Sequence, residues 1–193
     1  MRSPLDVRLS IFTFALFACA TFSFAQAPPS AIDNAFVQKQ FGGSCSVVPG
    51  LNSMVADMNG DGIDDIVIPA HCTNPMRDAG ENDFTILDPY DTFFGYGNTK
   101  ITSTYASEDP DRKGYVLLII HGTGAEAWHA DKPMAKFLII NLPYRELSVK
   151  KMRVKKKDVP AVYAVENGPD AMTSATFWDG KKYRYTPIGS SME

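Results

Sequence analysis

Two stretches limit what this chain can become. Tyr115-Val116-Leu117-Leu118-Ile119-Ile120 and Phe137-Leu138-Ile139-Ile140 are unbroken apolar runs rich in β-branched residues. A strand with one wet face alternates polar and apolar residues. A run apolar at every position has no wet face, so both faces must be covered. These two segments therefore read as central strands of a sheet with protein packed above and below. Around them lie shorter strand signals at Ser46-Val47-Val48, Met54-Val55-Ala56, Ile66-Val67-Ile68 and Val162-Tyr163-Ala164-Val165. Near the end, Asp179-Gly180 separates Ala175-Thr176-Phe177-Trp178 from Lys181-Lys182-Tyr183-Arg184-Tyr185, which is the composition of a two-residue hairpin turn. One helix is expected, over about 31–41. Ser30 is its expected N-cap and Asp33 completes a capping box. Ile32, Ala35, Phe36 and Phe41 share a face, and Gly42 stops it. The fold class expected is α+β but mainly β: an antiparallel sheet with one N-terminal helix.

The first residues carry a different signal. Arg2 and Arg8 precede the apolar segment Ile11–Ala18, and Ser23-Phe24-Ala25 fits a small-x-small cleavage site. That is the pattern of a secretory signal peptide over 1–25. Cleavage after Ala27 also fits the small-residue rule, though Pro28 would then follow the cut. Leu16-Phe17-Ala18-Cys19 is the competing lipoprotein pattern, with bulky Phe17 against it. Residues 26–30, with Pro28, Pro29 and Ser30, read as a linker, and 31–193 as one domain. The expected location is the periplasm or the outside of the cell. No later stretch approaches the ~20 apolar residues of a membrane-spanning helix. Nucleic acid is a poor partner for a chain with 22 Asp and Glu against 19 Lys and Arg. Loss of residues 1–25 would remove Arg2, Arg8 and Asp6 and leave it more acidic still. In an oxidising compartment Cys45 and Cys72 are expected to form a disulfide, stabilising by about 3 kcal/mol on the chain-entropy account. Two buried free thiols are the alternative.

Specific chemistry is concentrated in Asp57-Met58-Asn59-Gly60-Asp61-Gly62-Ile63-Asp64-Asp65. Oxygen-bearing side chains at positions one, three and five, with two glycines, suit a hard cation such as Ca²⁺, which takes six to eight oxygen ligands. An EF-hand needs a bidentate Glu at position twelve. Counting from Asp57, that residue is Ile68. The D-x-N-x-D-G-x-x-D spacing, entering an apolar strand, resembles the calcium loops of FG-GAP or VCBS repeats in integrin-like β-propellers. The resemblance implies Ca²⁺ held by Asp57, Asn59, Asp61, the carbonyl of Ile63, and Asp65, with Asp64 turned away. The motif occurs once, so the resemblance covers a loop and not the many blades of a propeller. As a whole the chain is similar to small exported bacterial proteins of FG-GAP or VCBS type. That implies a non-enzymatic, calcium-stabilised extracytoplasmic domain, of adhesion or envelope-binding kind.

Other features carry less. Residues 71–112 are rich in turn signals, Pro75 and Pro89 among them, interleaved with aromatics, and read as a long ordered loop with one strand near 100–106. Ile119-Ile120-His121-Gly122 resembles the His-Gly oxyanion stretch of α/β-hydrolases, but the G-x-S-x-G elbow that family needs is missing. The alternative function is thus a small exported hydrolase or enzyme inhibitor using 84–98 and His121. No catalytic residue is assigned. His71, His121 and His129 lack zinc-site spacing. Val149, Met152 and Val154 alternate with Lys150, Lys151, Arg153, Lys155, Lys156 and Lys157, as in a strand with one wet face. The lysines there also offer contact with an anionic surface or glycan, and an envelope protein is the other class of partner expected.

Overall fold

The computed structural model describes residues 32–95, 113–142, 144–167 and 172–190. The signal peptide, the linker and the strand expected near 100–106 lie outside these residues. The described part is mainly β, with antiparallel sheets and a helix at its N-terminal end, as the sequence implied.

Strands β1 (Cys45–Val47), β2 (Met54–Ala56), β3 (Asp65–Cys72), β4 (Thr85–Leu87), β5 (Tyr115–His121) and β6 (Ala135–Ile140) form the first sheet. Its order is β1-β3-β5-β6-β4. β1 and β2 both pair antiparallel with β3, at opposite ends of it, so together they make one interrupted edge. Only β4 breaks the antiparallel rule, running parallel to β6. The second sheet is a meander of β7 (Glu146–Val154), β8 (Lys157–Val165), β9 (Met172–Trp178) and β10 (Tyr183–Ser190).

Side-chain alternation divides the core. Ile66, Ile68, Ala70, Val116, Leu118, Ile120, Leu138 and Ile140 point to one face, where Val37 and Phe41 of helix α1 (Asn34–Phe41) and Trp128 cover them. Val67, Leu117, Ile119 and Ile139 point to the other, against Val162, Ala164, Tyr183 and Tyr185 of the second sheet. This is why the runs 115–120 of β5 and 137–140 of β6 are apolar at every position. Each fully buried Leu or Ile contributes about 1.5–3 kcal/mol, so these strands anchor the fold. Tyr144 lies between the sheets. Its hydroxyl donates to the Val116 carbonyl (2.8 Å), lies 3.1 Å from the Ala70 carbonyl, and accepts from the Ala70 N–H (3.1 Å), which offsets the cost of burying it.

Several local expectations change. Helix α1 is capped by Asp33, whose carboxylate accepts the Phe36 N–H at 2.8 Å. Asp33 is itself a strong N-cap, so it starts the helix three residues later than Ser30 would. The 71–112 region is not a continuous loop. Helix α2 (Pro75–Asn82) and helix α3 (Pro89–Phe94) flank β4. Both begin with Pro at a first-turn position, and Asp88 caps α3 by accepting the Asp91 N–H (2.9 Å). Those prolines were helix starts rather than loop markers. The C-terminal hairpin is present, but Trp178 pairs with Tyr183, so its loop is 179–182. The Asp179 carboxylate accepts the N–H groups of Lys181 and Lys182, each at 2.9 Å, and this side-chain turn displaces the tighter Asp-Gly turn. Cys45 and Cys72 are bonded, and they face each other in the β1–β3 register.

Candidate metal centre

Ala56 pairs with Asp65 at the open end of β2 and β3, which leaves 57–64 as the connection between them. The connection is tied by its own side chains. Asp57 accepts the N–H groups of Gly60 (2.7 Å) and Asp61 (3.0 Å) on Oδ1 and that of Gly62 (2.8 Å) on Oδ2. Asn59 accepts the Asp61 N–H at 2.9 Å and donates to Asp61 Oδ2 at 2.9 Å. Asp61 in turn accepts the Ile63 N–H at 2.8 Å. Gly60 and Gly62 take φ values of 81° and 85°, the left-handed region where a side chain is strained. The alternating Asp-x-Asn-x-Asp and the two glycines therefore have a direct physical use. They supply acceptors for a backbone curled too tightly to bond to itself.

Asp65 is placed differently. It is completely buried. Its Oδ2 accepts the N–H groups of Met58 (2.8 Å) and Asn59 (3.2 Å), and its Oδ1 accepts that of Gly122 (2.8 Å). Burial pushes its pKa up to about 6, against the opposing pull of these three N–H donors. Asp65 thus ties the start of the turn to the residue that follows β5. Gly122 must be glycine for a steric reason. A Cβ there would lie 2.4 Å from the Asp64 carbonyl oxygen and 2.8 Å from the Trp128 nitrogen.

Asp57, Asn59 and Asp61 are brought together on one solvent-facing turn, and Ile63 follows them half-buried. Asp64 is exposed. A carboxylate has about four acceptor positions. Asp57 and Asp65 each receive three hydrogen bonds from the turn and its neighbours, and Asp61 two, so each keeps acceptor capacity. Hard oxygens on a curled backbone suit Ca²⁺ chemically. The carboxylates do not converge into a closed cage, however: among the described residues no three His, Cys, Asp or Glu side chains gather as a metal site. That also separates the three histidines. His71 packs edge-on against Tyr115, and His129 stacks on Trp128 at 3.5 Å.

His121 was the pivot of the hydrolase alternative. It is 2% exposed, its Nε2 shares a hydrogen bond of 2.7 Å with the Tyr183 hydroxyl, and Phe137 and Trp178 pack on its ring. Burial lowers its pKa to about 4, despite the nearby charges of Asp61 and Asp57. It is a neutral core imidazole adjoining the turn. In the 84–98 region, Tyr90, Phe93 and Phe94 pack against Tyr185 of β10, and Asp88 accepts from the Asn141 amide at 2.6 Å. Residues 96–98 lie outside the described part. The Asp65–Gly122 link left one trace in the sequence, the glycine that ends the apolar run 115–120 after His121.

Comparison with protein families, curated proteins and solved structures finds no match for this chain. No helix among the described residues is long and apolar enough to cross a membrane.

Proposed function

We propose that this is a non-enzymatic, calcium-stabilised extracytoplasmic domain of adhesion or envelope-binding type. Its Ca²⁺ ligands are Asp57, Asn59, Asp61, the Ile63 carbonyl and Asp65, as in a single FG-GAP/VCBS-type loop. The observation that carries the reading is the pre-ordered turn. Its oxygens are already arranged by the four N–H groups from Gly60 to Ile63, which make five hydrogen bonds, and by the Asn59 amide, and Asp65 ties the turn to Gly122. A turn built in advance lowers the ordering cost of ion binding. It also places three ligand carboxylates, Asp57, Asp61 and Asp65, within nine residues, and a cation offsets their mutual repulsion. The Cys45–Cys72 bond suits an oxidising compartment, which fits export to the periplasm or beyond.

The ion is structural in this reading. It braces β2 against one end of β3, and the disulfide braces β1 against the other. The test is thermal unfolding with and without Ca²⁺, for wild type and Asp61→Ala. At a free ion concentration one hundred times Kd, native-state binding stabilises by about 2.7 kcal/mol. The wild-type midpoint rises and the mutant midpoint does not. An unmoved wild type, or an equal rise in both, refutes the assignment.

A further inference from the structure

A cleft of about 1090 Å³ opens beside the turn, between it and the hairpin ends of the second sheet. Asn59 and its neighbours form one wall. Lys155, Lys156 and Lys157, at the β7–β8 hairpin, and Trp178 of β9 also line it. Its volume is at the top of the roughly 300–1,000 Å³ range of small-molecule sites, room enough for a short oligomer.

Two observations say what it is built for. First, its charges are not balanced. Arg184 on the cleft is paired with Asp179, and Asp158 with Arg153. Lys155, Lys156 and Lys157 are exposed and form no ion pair among the described residues. Three adjacent cations without ion pairs make the hairpin side of the cleft positive, while the turn that also lines it is acidic. Second, Lys155 sits where a lysine is unexpected. The Lys156 N–H donates to the Val154 carbonyl at 2.9 Å, closing a three-residue turn about Lys155, whose φ is 53°. Such positive-φ turns are rare and strained, and Gly or Asn would occupy them more easily. The positive φ is what the two-residue hairpin turn between Val154 and Lys157 requires, and it sets Lys155 in the exposed loop of that hairpin.

We infer that this cleft binds an acidic saccharide, with a sugar ring against Trp178 and the carboxylates toward Lys155, Lys156 and Lys157. A half-buried Trp178 suits the apolar C–H face of a sugar ring. A row of ammonium groups suits carboxylates carried at intervals along a short oligomer. This rests on the reading of the domain as a binding module, and not on the ion.

The probe is trigalacturonate, titrated calorimetrically into the full chain while Trp fluorescence is followed, with maltotriose and hexaglutamate as controls. Trigalacturonate binds and changes the fluorescence, and both controls bind at least about tenfold more weakly. The double variant Lys155→Gly, Lys156→Gln loses at least about tenfold in affinity, as expected for two charge-assisted contacts. Its melting midpoint holds or rises, because glycine relaxes the positive φ. Absence of wild-type binding, equal binding by hexaglutamate, or an unchanged double variant each overturns the inference. If Ca²⁺ raises the melting midpoint while trigalacturonate fails to bind, the cleft is wrong and the ion assignment stands. Lysine-dependent binding with no Ca²⁺ effect on melting supports the cleft and refutes the ion.

Discussion

Gly122→Ala places one methyl group where three backbone atoms already stand: the Asp64 oxygen at 2.4 Å, the Ala127 carbonyl carbon at 2.7 Å and the Trp128 nitrogen at 2.8 Å. No flexible side chain is involved, so the clash is relieved only by moving backbone. Overpacking of this kind costs about 1–3 kcal/mol. The movement also pulls the Gly122 N–H from Asp65, a hydrogen bond to a charged group contributing about 1.5–3 kcal/mol. The total is about 3–5 kcal/mol, and at roughly 2–4 °C per kcal/mol for a domain this size the midpoint falls by about 10 °C. Gly43→Ala is the control, since a Cβ there meets nothing within 4 Å. Circular dichroism melts of both variants, without added metal, decide the matter. If Gly122→Ala melts within about 2 °C of wild type, the Asp65–Gly122 tie is not what holds the turn to the sheet.

Reduction gives a second prediction: opening Cys45–Cys72, which closes a separation of 27 residues, lowers stability by about 3 kcal/mol in denaturant titrations. Denatured, unreduced protein should show no thiol at either position; two reactive thiols contradict the bond. The third concerns pH, in chelator. His121, held near 4 against an ordinary 6.5, supplies stability that is full above pH 6.5 and is lost as pH falls through about 4. Asp65, raised to about 6, supplies stability present below its ordinary 3.8 and lost as pH rises through about 6. Each amounts to about 3 kcal/mol and they oppose each other, so wild-type stability varies little from these two groups between pH 4 and 6.5. His121→Phe removes one partner, and its stability then falls with rising pH across that window relative to wild type. An unchanged difference between the two proteins across the window contradicts the buried, neutral state of His121.

Some of this was legible in the residues. The apolar runs at 115–120 and 137–140 required cover on both faces, and the structure supplies helix α1 on one side and a second sheet on the other. The disulfide followed from parity and compartment. What was not legible was tertiary. Nothing local at Asp65 says that its carboxylate turns inward to Gly122, fifty-seven residues away. His121 carries no sign that Tyr183, from the other sheet, closes over it. Pro75 and Pro89 misled because proline both ends loops and starts helices, and the difference depends on the residues C-terminal to it. In the lysine run, composition showed the charge; only the fold showed a cleft beneath it.

The central claim is that the Asp57–Asp65 turn takes a calcium ion. Calorimetric titration of Ca²⁺ into chelator-stripped protein, with Asp61→Asn alongside, tests it without reference to unfolding. The account predicts saturable binding of one ion per chain in the wild type, weakened at least about tenfold in Asp61→Asn by loss of one ligand charge. No saturable heat in the wild type, or identical isotherms for the two proteins, would contradict it.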